Sequence, residues 1–242
     1  MLHPQAMNQY ELDEVGAVSL YLFEHKTNNM VNDHAIRLID YICLSQREIL
    51  FGDRTVFENN VARYSALKVE FERGPILNNQ PFRRSFAYFY GMRYVSTAAK
   101  NAFFQKMDEL RNNRANLSAR QITENLSRAM GRNEFSFVTK MLNMLDDETY
   151  PIYDSQVGVV FQKPFLPDET RLDHQASVYG DIVDTYQALR QHEIIDAFRE
   201  TYHCPSIGSF KVLDAIFWRL GKILDQDGLE LTPEEYLAQF TR

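Results

Sequence analysis

The sequence predicts an all-α protein, and three observations support this. Along most of the 242 residues, apolar side chains recur at steps of three and four, which is the period of an α-helix. Glycine and proline number only 10 and 8, so the chain has little of the turn material that an all-β protein requires. No internal repeat or low-complexity tract interrupts the pattern. We therefore expect a multi-helix protein of about nine or ten helices and no strands.

The first half of the chain contains four segments with helical spacing. They are VGAVSLYLFEH, NDHAIRLIDYICLSQREILF, RTVFENNVARYSALKVEFE and the aromatic run FRRSFAYFYGMRYVSTAAKNAFFQKMDEL. Gly91 is expected to break the fourth segment, after a face that carries Phe82, Phe86 and Phe89. We expect these aromatic residues and Tyr90 to belong to the core. The sequence ERGPILNNQPF predicts a loop before this segment.

The second half adds helices whose ends are recognisable. Either Ser118 or Thr123 would cap the helix that ends at Gly131, which suits a C-terminal position with positive φ. Three further helical segments are FSFVTKMLNML, SVYGDIVDTYQALRQHEIIDAFRETYH and SFKVLDAIFWRLGKILD. In the last of them Lys211 and Asp214 would form an ordinary i, i+3 ion pair, and the single tryptophan is expected in the core. The tail TPEEYLAQF has the Thr-Pro start of a capped helix.

The chain length allows one large domain or two smaller units. We expect a single all-α protein, 1–242, built from two possible helical lobes that flank a cleft. One lobe would combine 1–75 with 165–242, and the other would span 80–163. The loop before the aromatic run and the proline-containing loop FQKPFLPDETRLD suggest these boundaries.

The charges are unevenly distributed along the chain. The net charge of −7 argues against indiscriminate binding to nucleic acid. From Phe82 to Lys140, however, there are 11 Lys and Arg residues against 4 Asp and Glu residues. This stretch would form one basic face, or its charges would be scattered around exposed helices. The candidate phosphate contacts within it are Arg83, Arg84, Arg93 and Arg132, for which a solvated helix face is the alternative.

Several functional classes are excluded or disfavoured by composition. No apolar run approaches the length that spans a bilayer, so we expect no membrane association. The N-terminal sequence lacks the features of a secretory signal, and only two cysteines occur, which favours the reducing cytoplasm. The cysteines and histidines show no metal-ligand spacing. We expect neither a metal nor another cofactor.

The segment from Ser136 to Val160 carries the strongest functional signal. It consists of the helix FSFVTKMLNML, a short loop and then YPIYDSQVGVVF, in which Asp154 precedes a helical run. This arrangement resembles the core of the helix-hairpin-helix DNA glycosylases, especially the 8-oxoguanine glycosylase branch. The resemblance covers about 25 of the 242 residues and depends mainly on PIYDSQV. It implies a two-lobed helical fold that binds DNA, in which Asp154 corresponds to the catalytic aspartate.

The sequence also departs from that family in two respects. The family's hairpin is rich in glycine and grips a DNA phosphate, whereas this chain has AMGRNEFSF with one glycine. In an ungapped alignment the family's lysine, which forms a Schiff base, falls near Ser136. Lys140 lies one helical turn later on the same face, so the family's lysine is either missing here or displaced to Lys140. Both the hairpin grip and lyase chemistry depend on these positions.

Chemistry of this kind needs few groups. A carboxylate stabilises the positive charge that forms on the sugar when a base leaves, or it activates a water. A lysine that attacks the sugar must be neutral. Aromatic residues receive the extruded base. Asp154 and Lys140 are the candidate catalytic residues, although Asp154 also suits an N-cap and Lys140 also suits a lysine that extends from a partly buried face.

Three functions remain open on this evidence. The first is a glycosylase-like enzyme that uses Asp154, with or without Lys140, on a nucleotide extruded from DNA. The second is a non-catalytic relative on the same scaffold that binds DNA or a protein. The third is a helical interaction protein unrelated to glycosylases. An RNA partner also stays open.

Overall fold

The computed structural model describes residues 35–40, 54–114, 116–131, 133–163 and 172–226. Within these ranges the protein is all-α, as predicted, and contains no strand. Residues 35–40 are helical. The α-helices that follow are α1 (Arg54–Glu72), α2 (Gln80–Phe89), α3 (Thr97–Arg111), α4 (Ala119–Met130), α5 (Phe135–Leu145), α6 (Ser155–Val160), α7 (Leu172–Leu189), α8 (Glu193–Thr201) and α9 (Ser209–Gln226). Two 3₁₀ turns, Ile76–Asn78 and Met92–Tyr94, flank α2.

Some predictions concern residues outside the described ranges. They are the expected helices VGAVSLYLFEH and TPEEYLAQF and the expected phosphate contact Arg132. Among the helices that the structure does describe, none is long and apolar enough to cross a membrane.

The helix ends follow from short-range hydrogen bonds. The Ser118 hydroxyl accepts the backbone N–H of Gln121 at the start of α4, so the prediction of Ser118 as cap is confirmed. The alternative, Thr123, is wrong because this residue lies inside α4, where its hydroxyl donates to the Ala119 carbonyl. Gly131 ends α4 with φ of 71°, a left-handed conformation that glycine adopts without steric cost.

The core is continuous and draws buried apolar residues from every numbered helix. Its aromatic part lies among α1, α2 and α3, where ring centroids of neighbouring phenylalanines are 5.4–6.2 Å apart. Each such pair contributes about 0.5–1.5 kcal/mol beyond its burial. The rings are those of Phe71, Phe82, Phe86, Phe103 and Phe104. Phe82 and Phe86 are fully buried, which confirms the prediction for them.

Helices α6 and α9 pack against each other at backbone distance. A Cβ atom on Gly221 of α9 would lie 2.7 Å from the carbonyl carbon of Gln156 in α6. Gly208, just before α9, is equally close to the backbone of Asp147. These contacts connect segments that the sequence analysis assigns to different lobes, and they fix the start of α6 against α9.

The connection between α5 and α6, residues 146–154, is held by side chains that bond to its backbone. Asn143 donates to the carbonyl of Tyr150 at 2.8 Å, and the Tyr179 hydroxyl donates to the carbonyl of Pro151 at 3.0 Å. The Thr139 hydroxyl accepts the N–H of Tyr153 at 3.1 Å. Because these bonds are buried, the loop delivers the following residue, Asp154, to a defined position.

Candidate functional site

A cavity of about 280 Å³ lies where α1, α5, α8 and α9 meet the segment that follows α2. Its wall combines residues from both lobes expected from the sequence. Six aromatic side chains contribute to the wall: Phe57, Tyr64, Phe89, Tyr90, Phe198 and Trp218. Lys140, Asp154, Lys211 and Asp214 supply its charged groups. The cavity is therefore apolar and aromatic, with two cations and two carboxylates.

Asp154 does two things at once. Its Oδ1 atom caps α6 by accepting the N–H groups of Gln156 at 3.1 Å and Val157 at 3.3 Å. Its Oδ2 atom lies 3.5 Å from Nζ of Lys140, and the side chain retains 17% of its exposure. The cap predicted from the sequence is present, and the second oxygen is directed to the candidate lysine. A capping role therefore leaves one carboxylate oxygen for another task.

Lys140 projects from α5 towards the same point. Its Nζ donates to the Ser136 hydroxyl at 3.0 Å and lies 5.5 Å from the centre of the Phe137 ring. Ser136 is the position at which the sequence resemblance places the family's lysine. The amine of Lys140 therefore reaches the side chain at that position from one turn further along the helix.

A second pair, Lys211 and Asp214, lies in the same cavity and was not expected there. The predicted i, i+3 contact forms, with Nζ 2.7 Å from Oδ2, but the pair is buried and not on a solvated face. The ammonium group lies 5.1–5.8 Å from the ring centres of Tyr64, Phe89 and Tyr90. The Oδ1 atom of Asp214 has no hydrogen-bond partner among the described residues.

The electrostatics of Asp214 reflect this position. Burial raises the pKa of Asp214 above its ordinary value, and the adjacent Lys211 opposes this shift. The charge of Asp154 raises the Asp214 pKa further, whereas Lys140 lowers it. The two pairs are therefore electrostatically coupled across the cavity. A helical wheel gives the signal that sequence reasoning missed, because Asp214 lies one turn from the buried residues Phe210 and Phe217.

The buried Tyr64 links the cavity wall to Asp147, which lies in the turn after α5. The Tyr64 hydroxyl donates to Oδ2 of Asp147 at 2.9 Å, and Lys68 approaches Oδ1 of the same carboxylate at 3.2 Å. Burial raises the pKa of Tyr64 and of Tyr90 well above the ordinary value, and the nearby carboxylates raise both further. Both phenols therefore stay protonated and neutral across the physiological pH range.

The aromatic predictions are only partly confirmed. Tyr90 is buried in the core, as predicted, and also lines the cavity, whereas Phe89 and Trp218 are half-buried and form part of the cavity wall. The Tyr90 hydroxyl has no hydrogen-bond partner among the described residues. Phe89 reaches the cavity because α2 ends at this residue and the chain turns at Gly91 beside the cavity.

The arginines proposed as phosphate contacts differ in their exposure and in their contacts. Arg83 is half-buried and engaged, since its guanidinium donates to the Leu77 carbonyl and lies 5.1 Å from the Phe104 ring centre. Arg84 and Arg93 are exposed. Arg93 lies beyond Gly91, with its guanidinium 5.7 Å from the ring centre of Tyr88.

Neither a metal site nor a similar known protein indicates what the cavity binds. Within the described ranges, no group of three or more His, Cys, Asp and Glu side chains is arranged to hold a metal ion. No protein-family model, no curated protein and no solved structure matches the chain.

Proposed function

We propose that the protein removes a base from DNA by hydrolysis, with Asp154 as the catalytic carboxylate. The observation that carries this proposal is that the two carboxylate oxygens of Asp154 have different contacts. One oxygen is held by the start of α6, and the other lies beside Lys140 in an aromatic cavity. A carboxylate fixed in this way needs no rearrangement before it acts, which is what preorganised electrostatic catalysis requires.

The cavity suits a flat aromatic ligand. Its volume of about 280 Å³ is near the lower end of the usual range for small-molecule sites, roughly 300–1,000 Å³. An extruded nucleobase is recognised by stacking against aromatic side chains and by a few polar groups. Tyr64, Phe89 and Trp218 offer aromatic surface, and the two Lys–Asp pairs offer polar groups.

The proposed reaction assigns one role to each residue of the first pair. The bond between the base and C1′ of the sugar breaks, and the base leaves with the bonding electrons and takes up a proton. Asp154 stabilises the positive charge on the sugar and accepts a proton from the water that adds to C1′. The carboxylate then releases this proton, which balances the one that the base takes up, so that one water is consumed overall. Lys140 orients the carboxylate. Because Nζ of Lys140 is held between Asp154 and the Ser136 hydroxyl, we assign it this positioning role and not attack on the sugar, so hydrolysis is favoured over imine formation.

The test is Asp154→Asn, assayed for base release from duplexes that each carry one damaged or mismatched base. Asparagine is as good a cap as aspartate, so α6 keeps its start. Loss of the carboxylate is expected to reduce release by about 10²–10⁴-fold while DNA affinity is retained. Asp196→Asn, an exposed residue of α8, is the matched control and should release base at the wild-type rate. Undiminished release by Asp154→Asn would eliminate this mechanism.

The second candidate is a non-catalytic binding protein on the same scaffold. It is favoured by the cap itself, since the bonds to Gln156 and Val157 give the carboxylate a structural purpose. The same assay separates the candidates. A wild-type protein that binds the duplexes and releases no base from any of them would support the binding protein.

A further inference from the structure

An exposed group of arginines and tyrosines borders the cavity. The guanidinium groups of Arg63 and Arg93 each lie 5.7 Å from the ring centre of Tyr88, so one ring serves two cations. Tyr88 is 60% exposed and Tyr94 is 94% exposed. We call Arg63, Tyr88, Arg93 and Tyr94 the Arg–Tyr cluster.

The residues of the cluster are neighbours in sequence of residues that line the cavity, which places the cluster at its edge. Arg63 lies between Val61 and Tyr64 of α1, which both line the cavity. Tyr88 immediately precedes the lining segment Phe89–Gly91, and Arg93 and Tyr94 follow it within one 3₁₀ turn. A strand that delivered a nucleotide into the cavity would have to pass such an edge.

The charges of the cluster are not neutralised within the described part of the protein. Neither Arg63 nor Arg93 has a carboxylate within 4 Å there, and Arg84, one turn before Tyr88 on α2, is also exposed. Most other arginines differ: Arg120, for example, pairs with Glu124 and Asp173. Exposed guanidiniums without a carboxylate partner at the edge of a cavity are suited to bind an anionic partner.

The combination of groups identifies the chemistry of that partner. Guanidiniums bind phosphates, while exposed aromatic rings provide stacking surfaces that suit unpaired bases. An acidic peptide would satisfy the arginines but would leave both tyrosine rings unused. We propose that the Arg–Tyr cluster binds a DNA strand with unpaired bases, stacking bases on Tyr88 and Tyr94 and holding phosphates with Arg63 and Arg93. This inference rests on the proposed function for its account of why the strand lies there.

The experiment measures binding to undamaged single strands, so it does not depend on base release. Two labelled oligonucleotides of equal length are compared by fluorescence anisotropy, one with ordinary bases and one with an abasic sugar at every position. Tyr88→Ala combined with Tyr94→Ala should weaken binding of the first by tenfold or more and leave the second unchanged. Arg63→Ala combined with Arg93→Ala should weaken both, and should reduce the slope of log affinity against log salt by about 1.4.

Matched controls remove similar groups elsewhere. Leu77→Ala deletes exposed apolar surface, and Arg120→Ala deletes an arginine that has carboxylate partners. Both should bind like the wild type. An equal loss for the two probes in the tyrosine variant, or no loss for either, overturns the stacking claim. Failure of the wild type to bind either probe also overturns it.

Two further results define the scope of the inference. Equal binding of RNA and DNA strands would extend the cluster to both, since their phosphates and bases are shared, and the tyrosine effect should then persist with RNA. Competition by polyglutamate with no tyrosine effect would indicate a general anion surface and reject the proposal. If strands bind through the cluster but no damaged base is released, the cluster stands and the proposed glycosylase activity fails.

Discussion

The cavity contains two Lys–Asp pairs, and they differ in the elements that hold them and in their burial. Lys211 and Asp214 lie one turn apart on α9, are 2.7 Å apart, and leave only 5% of the aspartate side chain exposed. Lys140 and Asp154 come from two different elements, are 3.5 Å apart and are more exposed. The first pair is held by a single helix, whereas the second exists only because α5 and α6 meet.

From this difference we infer that one pair contributes to stability and the other to the proposed chemistry. One oxygen of Asp214 is committed to Lys211, the other is buried without a hydrogen-bond partner among the described residues, and burial raises the pKa of this carboxyl group. Asp154 has one oxygen committed to the cap and one towards the cavity side. Burial disfavours the ionised form of a carboxyl group, which is the form that stabilises positive charge, and it does so at Asp214. We therefore expect α9 to contribute the stable wall and the α5–α6 junction to contribute the reactive group.

The largest expected effect tests the stable wall. Asp214→Ala leaves the Lys211 ammonium in an aromatic environment without its carboxylate, and breaking a buried pair in this way costs about 3–5 kcal/mol. The free energy of unfolding, measured with urea, should fall by that amount. Lys106 and Glu109 provide the control, because they form an i, i+3 pair on the exposed face of α3. Glu109→Ala should cost less than about 1 kcal/mol.

A double variant distinguishes charge from packing in the same experiment. Lys211→Met with Asp214→Leu removes both charges and keeps apolar volume, so it should recover most of the lost stability. A loss as large as that of Asp214→Ala would mean that shape, and not the uncompensated ammonium, determines the cost.

The next effect in size concerns the packing that joins the two pairs. Gly221→Ala places a methyl group against the Gln156 backbone, which cannot rotate away, so we expect a loss of about 1–3 kcal/mol. Gly180→Ala on α7 is the matched control, because nothing lies within 4 Å of the added methyl group. It should gain up to about 1 kcal/mol from helix propensity. Thermal unfolding of both variants measures the contrast, and a neutral Gly221→Ala would show that α6 shifts freely.

The fold was predictable to a large extent because its signals are local. The three- and four-residue spacing of apolar residues, the Ser118 cap and the Gly131 end all depend on neighbours within one or two turns. The Asp154 cap is of the same kind. The lobes stay a prediction, although the cavity wall does combine residues from both.

The site was less predictable because its parts are distant in sequence. The Lys211–Asp214 pair was recognised, but its burial depends on α1 and the end of α2, from which Tyr64, Phe89 and Tyr90 come. The role of Asp147 depends on Tyr64, which is 83 residues away. Gly221 shows no turn signal, since its role is to let another backbone approach. Such relations appear only when the helices are packed.

A smaller effect should appear in the pH dependence of stability. The raised pKa of Asp214 means that the folded protein binds its proton more tightly than the unfolded chain does. The associated stability is complete below the ordinary pKa of about 3.8 and is lost as pH rises through the folded value. Asp214→Asn does not titrate, whereas Asp154, Lys140 and Lys211 remain in both proteins. The stability of the wild type relative to Asp214→Asn should therefore decrease as pH rises from about 3.8; a constant or increasing difference would contradict the shift.

The smallest expected effect on stability concerns Asp154. Asp154→Ala removes the acceptor for Gln156 and Val157, which should cost about 1 kcal/mol, whereas Asp154→Asn keeps an acceptor and should be nearly neutral. Urea unfolding of the two variants at one pH measures this difference. If both variants lost 3 kcal/mol or more, Asp154 would resemble Asp214, and the contrast between the pairs would disappear. If asparagine is tolerated by the fold while base release is lost, the capping oxygen and the reactive oxygen are separable, which is the property that a catalytic carboxylate at a helix start requires.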